Sequence, residues 1–176
     1  MPVVDPTDLD VAPADLDFEL PNVGPGPDPL ALDDVAADHD FVVVLLQRDH
    51  HCTRCRDQVQ TVADRYDAFE RRDAAVVSVL PEPVDRAREW AEQYAPPYPL
   101  LADPDAGLGE RYDQPVRFGP LGSLSDFFGR QPAAVVLDLR EGADAARVVY
   151  AHRGTTTFDR PSVDDLLAAV DDTRGD

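Results

Sequence analysis

The sequence predicts an α/β domain with a central mixed sheet flanked by helices. Apolar runs of strand length alternate with segments whose apolar residues recur every three or four positions, as in amphipathic helices. A Cys-Thr-Arg-Cys motif lies where one predicted strand gives way to a helix. At 176 residues and 43% hydrophobic content, the chain can bury one core but is short for two domains. We therefore expect a single domain.

The first elements follow from local pattern. Polar and apolar residues alternate over residues 15–20, which predicts a half-buried strand that Pro21 ends. A loop rich in Gly and Pro follows, and residues 30–35 lead into a short helical turn. Residues 41–46 are apolar without alternation, which is typical of a strand covered on both faces.

The next elements predict a parallel crossover. Residues at three- and four-residue intervals predict one helix with a buried stripe: Cys55, Val59, Val62, Tyr66 and Phe69. A second buried strand covers residues 74–80, and residues 84–94 can form a helix. The order strand, helix, strand, helix predicts a right-handed parallel connection.

The C-terminal half predicts a hairpin and a final helix. A short strand at residues 100–102 precedes a helical turn at 106–112, and residues 114–131 form an insertion with a loop and a short helix. Strands at 133–139 and 146–151 form an antiparallel hairpin with a longer than minimal loop. A capping box at Ser162 and Asp165 opens a helix whose apolar face consists of Val163, Leu166, Leu167 and Val170.

These elements give a simple domain organisation. Residues 1–12 are rich in Asp and Pro and predict a flexible lead-in. Residues 13–172 form the domain, and residues 173–176 form a tail.

The net charge of the chain limits the classes of partner that it can bind. The formal net charge is −19, and all 16 basic residues are arginine. Such a surface repels phosphate backbones and anionic lipids, which argues against nucleic acid and membranes as partners. Because salt screens repulsion among carboxylates, the composition suggests a salt-rich cytoplasm. We find no targeting signal and no stretch of membrane-spanning length, so we expect a soluble cytoplasmic protein.

The two cysteines, Cys52 and Cys55, carry the predicted chemistry. A helix N-terminus presents unpaired N–H groups and the positive end of its dipole, which stabilise a thiolate. Cys55 belongs to the buried stripe, whereas Cys52 lies at the more exposed mouth of the helix. This assigns attack to Cys52 and resolution to Cys55, with cycling between dithiol and disulfide. The alternatives are an inert buried pair or half of a metal site.

The motifs together resemble the thioredoxin fold and, within it, the AhpC/TSA family of peroxiredoxin-like redoxins. Asp-Phe-Glu-Leu-Pro at 17–21 is similar to the family's opening strand, and Pro-Leu-Leu-Ala-Asp-Pro-Asp at 99–105, followed by Tyr112, is similar to a later segment. Gln-Pro-Ala-Ala-Val-Val-Leu-Asp at 131–138 resembles the strand led by proline. The resemblance implies a thiol peroxidase or thiol–disulfide oxidoreductase that an external dithiol such as thioredoxin reduces. It also implies a cis peptide before Pro132, packed beside the cysteines.

The chain departs from the family pattern before its first cysteine. The family places Thr or Ser three residues before the peroxide-attacking Cys, and Pro four residues earlier still. Here these positions hold Asp49 and Leu45. We therefore expect the peroxide-activating pocket to be missing or rebuilt, and a charged Asp49 would raise the pKa of Cys52 unless Arg48 or a neighbouring His neutralises it.

Other side chains are candidates for supporting roles. Of His50 and His51, at most one can face the thiol, and we favour His51 as base or thiolate partner. Arg130 is a candidate for stabilising a thiolate or a peroxide oxygen. No Gly-rich phosphate loop is present, and we expect no cofactor and no bound metal.

Three alternative functions stay open at this point. One is a disulfide reductase without peroxidase activity. Another is a carrier that binds Cu(I) or Zn(II) through Cys52, Cys55 and the distant His152. The third is a redox sensor whose disulfide alters a partner surface.

Overall fold

The computed structural model describes residues 11–114 and 130–175. Its N-terminal half contains nine elements, in the order α1 (Pro13–Leu16), β1 (Glu19–Leu20), β2 (Leu30–Ala31), α2 (Leu32–Asp38), β3 (Phe41–Leu46), α3 (Thr53–Asp64), α4 (Tyr66–Glu70), β4 (Ala74–Leu80) and α5 (Val84–Tyr94). The rest of the described chain contains β5 (Leu100–Ala102), α6 (Gly107–Arg111), β6 (Ala133–Asp138), a 3₁₀ turn (Ala143–Ala145), β7 (Arg147–Arg153) and α7 (Val163–Arg174).

A five-stranded mixed sheet forms the centre of the fold, with strand order β5-β4-β3-β6-β7. Strands β3, β4 and β5 run parallel, whereas β6 runs antiparallel to β3 and to β7. Strands β1 and β2 form a separate antiparallel pair. Because β3 is central in the sheet and helices cover both faces of it, every residue of Phe41–Leu46 is buried.

Each face of the sheet carries its own core. Alternate β3 residues point to opposite faces, as the strand period of two requires. Val42, Val44 and Leu46 pack with buried residues of α1, α2 and α6. Phe41, Val43 and Leu45 pack with buried residues of α3, α4, α5 and α7. Among the described residues, no helix is both long and apolar enough to cross a membrane.

The structure confirms most predicted elements. The two buried strands, the helix over residues 84–94, the C-terminal hairpin and the parallel connection of β3 to β4 are all present. The predicted capping box is formed, since Ser162 Oγ accepts from Asp165 N at 3.1 Å and Asp165 Oδ2 accepts from Ser162 N at 2.9 Å. The predicted apolar face of the last helix is buried.

Two predicted elements differ. The strand predicted over residues 15–20 is wrong in extent, because Pro13–Leu16 form a helical turn and only Glu19–Leu20 pair with β2. The alternating burial is nevertheless real, since Leu16 and Phe18 are buried and do not need a strand partner. The helix predicted through Phe69 is broken at Arg65, where φ and ψ are −120° and 21°. Nearly all of the predicted lead-in and insertion, including Phe118, Phe127 and Phe128, lies outside the described residues.

Candidate active site

The sheet topology brings distant segments to one edge. Leu46, the last residue of β3, pairs with Ala133, the first residue of β6. Ala133 in turn pairs with Arg153, the last residue of β7. Residues 47–52, 130–132 and 154–160 therefore meet at the same edge of the sheet. Glu82, which follows β4, reaches this edge as well.

Cys52 and Cys55 form a disulfide at this edge, with their Cα atoms 5.2 Å apart. Cys52 is the N-cap of α3, and its Sγ accepts a hydrogen bond from Cys55 N at 3.1 Å. The exposed fraction is 5% for Cys52 and 0% for Cys55. Cys52 is thus the more exposed of the two, although it is far less exposed than its place at the helix mouth suggests.

Arg160 contacts both sulfurs. Its NH2 group donates to Cys55 Sγ at 2.9 Å and to Cys52 Sγ at 3.3 Å. The rest of the guanidinium donates to Thr157 O at 2.8 Å, to Gln58 Oε1 at 2.8 Å and to Gln47 Oε1 at 3.4 Å. Burial, with the nearby charge of Arg48 adding to it, lowers the pKa of Arg160 to about 10. The guanidinium is therefore still a cation at neutral pH.

Further donors surround the sulfurs. Thr157 Oγ1 lies 3.6 Å from Cys52 Sγ, and Arg48 N donates to Cys55 Sγ at 3.4 Å. Hydrogen bonds from N–H and guanidinium groups favour a thiolate over a thiol. The arrangement is therefore suited to holding one sulfur of the reduced pair as a nucleophile.

Sequence reasoning missed Arg160 and Thr157. Both lie in the loop between β7 and α7, more than a hundred residues after Cys52. No spacing rule connects the two segments, because only the sheet order brings them together. The one local signal is an arginine immediately before the proline that leads into the capping box.

The two candidate histidines lie beside the site. His51 is exposed, its backbone N–H donates to Asp49 Oδ1 at 2.8 Å, and its ring centroid is 3.6 Å from that of His50. His50 is held by other partners, with Nδ1 2.5 Å from Glu82 Oε1 and Nε2 3.0 Å from an Arg86 nitrogen.

Arg130 and Pro132 also lie at this edge. The carbonyl of Arg130 accepts from Arg48 Nε at 3.0 Å, and its NH1 is 3.5 Å from Gln114 Oε1. Pro132 is buried, and its carbonyl accepts from Gly154 N at 2.8 Å. The predicted cis peptide before Pro132 is wrong, because within residues 11–114 and 130–175 the cis bond is Asp28–Pro29. Pro132 directly precedes the first residue of β6, a place in a sheet where proline is tolerated.

Asp49 is buried and already bonded. Its Oδ1 accepts from His51 N, and its Oδ2 lies 3.8 Å from Arg48 Nε. The Arg48 charge therefore offsets the Asp49 carboxylate. Arg48 is one of the residues that the sequence suggested could do so and keep the pKa of Cys52 from rising.

Two concave surfaces flank the disulfide. A polar cleft of about 340 Å³ lies on the side of residues 48–51, and its other walls include Glu82, Glu110 and Arg130. A second, more apolar groove of about 270 Å³ is lined in part by Arg160, beside Phe158. Phe158 is 67% exposed and lies under the Arg54 guanidinium at 4.6 Å.

His152 does not form a metal site with the cysteines. It is fully buried, and its Nε2 lies 2.8 Å from Asp159 Oδ1. Within the part of the chain that the structure describes, no group of three or more His, Cys, Asp or Glu side chains is arranged to hold a metal ion. The metal-carrier alternative therefore lacks a supporting ligand cluster there.

Comparison with known proteins extends these observations. A sequence profile of the AhpC/TSA family matches residues 10–140. No curated protein sequence matches the chain.

Among solved structures, the chain is similar to the peroxidoxin BcpB from Mycobacterium tuberculosis, with 23% identity, a TM-score of 0.71 and coverage of 93% of this chain and 95% of that one. It is also similar to peroxiredoxin Q of Xanthomonas campestris, with 19% identity, a TM-score of 0.72 and coverage of 93% and 96%. The reduced 2-Cys peroxiredoxin of Plasmodium vivax has 15% identity, a TM-score of 0.71 and coverage of 90% and 79%. These likenesses show the shared thioredoxin-type fold.

Proposed function

The chain belongs to the AhpC/TSA family and is a thiol-dependent oxidoreductase, and on that premise we propose that it reduces hydroperoxides through Cys52 and Cys55. The observation that carries the proposal is the set of donors around Cys52 Sγ. Cys55 N–H, the Arg160 guanidinium and Thr157 Oγ1 lie 3.1, 3.3 and 3.6 Å away. They stabilise a thiolate and can also hold a peroxide oxygen.

The proposed reaction has two steps in the protein. The Cys52 thiolate attacks one peroxide oxygen, the O–O bond breaks, and the leaving oxygen takes up a proton to become water or an alcohol. Cys52 is then a sulfenic acid. Cys55 attacks the Cys52 sulfur, water leaves, and the disulfide seen in the structure forms.

Arg160 and Thr157 supply what the sequence before Cys52 lacks. Asp49 stands where a hydroxyl donor is expected, and its carboxylate already accepts from His51 N. A hydroxyl and a guanidinium from the loop after β7 approach Cys52 instead. The pocket is thus rebuilt from the other end of the chain. His51, Arg130 and Pro132 remain proposed contributors at its edge.

A thiol–disulfide reductase is the second candidate. The observation that favours it is the position of the two cysteines one helical turn apart, with Cys55 fully buried behind Cys52. A substrate disulfide would form a mixed disulfide with Cys52, which Cys55 would then resolve. In either case an external dithiol of the thioredoxin type would restore the reduced enzyme.

We also infer that the protein works in a salt-rich cytoplasm. A net charge of −19 destabilises the folded chain at low ionic strength, because the excess carboxylates repel one another and little salt is present to screen them. The same surface makes nucleic acid and anionic membranes unsuitable partners.

The test is consumption of hydrogen peroxide and of an organic hydroperoxide by the reduced protein, with thioredoxin and its reductase as electron donor. Cys52→Ser should abolish turnover. Cys55→Ser should allow one sulfenylation event and no turnover. If the wild-type protein consumes no peroxide but reduces a model disulfide, and Cys55→Ser traps mixed disulfides, the second candidate is correct.

A further inference from the structure

His152 is a buried histidine that the proposed reaction does not use. It lies on β7 opposite Ala134 and has no exposed surface. Its Nε2 bonds to Asp159 Oδ1 at 2.8 Å, whereas no described residue hydrogen-bonds to its Nδ1. An unsatisfied buried nitrogen destabilises the folded state, and an apolar side chain at this position would not leave one. The hydrogen bond to Asp159 is therefore what a histidine provides here and an apolar core residue would not.

Asp159 uses both carboxylate oxygens to close the loop that follows β7. Oδ1 accepts from His152, and Oδ2 accepts from Thr155 N at 2.9 Å and from Thr155 Oγ1 at 3.1 Å. Burial alone would raise the pKa of Asp159, but the bonds from Thr155 and His152 outweigh it and hold that pKa below its ordinary value. Asp159 is therefore an anion at neutral pH and ties the loop to the sheet.

This loop presents the groups that reach the sulfurs. Arg160 follows Asp159 directly, and Thr157 lies two residues before it. The loop packs closely on the backbone of Gly154, since a Cβ built on that residue would lie 2.6 Å from Asp159 O and 2.9 Å from Pro132 O. A side chain that anchors Asp159 therefore also sets where the Arg160 guanidinium lies.

We propose that His152 is a positioning residue that acts through Asp159 to hold Arg160 against Cys52 and Cys55, and so controls the nucleophilicity of Cys52. The proposal rests on the role of Arg160 in the proposed function. His152 itself touches neither substrate nor sulfur in it. If His152 were only a core residue, its loss would lower stability without acting through Arg160.

The experiment measures the pH at which alkylation of Cys52 by iodoacetamide is half-maximal. All variants carry Cys55→Ser, so that one thiol reports. Arg160→Gln should raise this pH by about one unit, because an opposite charge is lost beside the thiolate. His152→Leu should raise it in the same direction. In the double variant His152→Leu/Arg160→Gln, the value should equal that of Arg160→Gln alone.

Matched variants keep the test decisive. His152→Gln retains an N–H donor near the position of Nε2 and should restore most of the value of the Cys55→Ser parent. His39→Leu, a histidine between α2 and β3, should leave the value unchanged. If His152→Leu does not fold, Asp159→Asn, which keeps the shape of the side chain, should give the same shift.

The outcomes separate this inference from the proposed function. If Arg160→Gln shifts the alkylation profile and His152→Leu does not, His152 has no positioning role, whereas the role of Arg160 stands. Equal shifts from His152→Leu with and without Arg160 would also overturn the inference, since His152 would act independently. If Arg160→Gln does not shift the profile, Arg160 does not stabilise the Cys52 thiolate, and the positioning role of His152 fails with it.

Discussion

Arg160 is the residue at which the chemistry of the site converges. One guanidinium nitrogen lies within hydrogen-bonding distance of both sulfurs, and the others are held by Thr157, Gln58 and Gln47. Since an arginine is planar and keeps its charge, these bonds fix both the direction and the position of the cation. Arg130, the arginine that the sequence pointed to, lies at the same edge of the sheet and contacts Gln114 and Arg48.

The first prediction concerns Arg160 itself. Arg160→Gln should lower the second-order rate constant of reduced protein with hydrogen peroxide by about 10- to 100-fold at pH 7, because one charged donor to the reacting centre is lost. The rate constant of Arg160→Lys should lie between those of the wild type and Arg160→Gln, because lysine keeps the charge but lacks the planar guanidinium. Competition kinetics against a thiol probe measures the rates. Equal rates for wild type and Arg160→Gln would rule out the role.

The second prediction concerns Gly154, which lies under the same loop. Gly154→Ala should destabilise the protein by about 1–3 kcal/mol, because the new methyl group meets backbone oxygens of Asp159 and Pro132. Gly107→Ala is the matched control, since nothing lies within 4 Å of its Cβ and alanine favours a helix. Denaturant unfolding of both variants should therefore show changes of opposite sign. A neutral Gly154→Ala would mean that the loop can move freely.

At the scale of elements, the β6–β7 hairpin is joined by charged side chains near its closed end. Asp138 is the last residue of β6 and is buried. It accepts hydrogen bonds from Arg140 at 2.8 and 3.0 Å and from Arg147, the first residue of β7, at 2.7 Å. Hydrogen bonds from Arg140, with Arg147 adding to them and burial opposing, hold the pKa of Asp138 well below its usual range.

The third prediction follows from that pKa. Asp138→Asn should cost about 1–2 kcal/mol of unfolding free energy at pH 7, a modest figure because Arg147 is 64% exposed and solvent screens its charge. A group whose pKa is lowered by folding contributes its full stability above its unfolded pKa, which is about 3.9 for Asp. The difference between wild type and variant should therefore shrink as the pH falls below about 4. Urea unfolding at pH 7 and pH 3 measures it.

The control for this prediction is an exposed pair. Asp67 lies in α4 and Arg71 is the residue that caps its C-terminus. Their side chains are 67% and 66% exposed. Asp67→Asn should change stability little at either pH. A pH-independent loss in Asp138→Asn would show that packing, rather than charge, is responsible.

At the scale of the whole molecule, charge is the dominant feature. The net charge of −19 spreads over a chain of 176 residues, and four ion pairs among the described residues join two exposed side chains. Salt weakens such pairs, but it also screens the repulsion among the excess carboxylates. With 35 acidic residues against 16 basic ones, repulsion outweighs attraction.

The fourth prediction is that stability rises with salt. The unfolding midpoint temperature should increase as KCl is raised from about 0.05 to about 0.5 M, the range over which the Debye length falls below 10 Å. Sucrose at matched osmolality is the control for solvent effects other than charge. A midpoint that falls or stays constant with KCl would contradict the proposed adaptation to a salt-rich cytoplasm.

The sequence by itself determined the layers of this protein and the place of its dithiol. Uninterrupted apolar runs, helical spacing and Pro or Gly breaks are local signals, and they predicted the central strands, the α5 and α7 helices and the position of Cys52 at a helix N-terminus. Local pattern failed where burial came from packing alone, as at Leu16 and Phe18, which alternate without forming a strand. Only the tertiary structure decided which side chains meet the sulfurs. The sheet order brings the loop after β7 to the end of β3, and so places Arg160, Thr157 and the His152–Asp159 pair at a site that lies more than a hundred residues away along the chain.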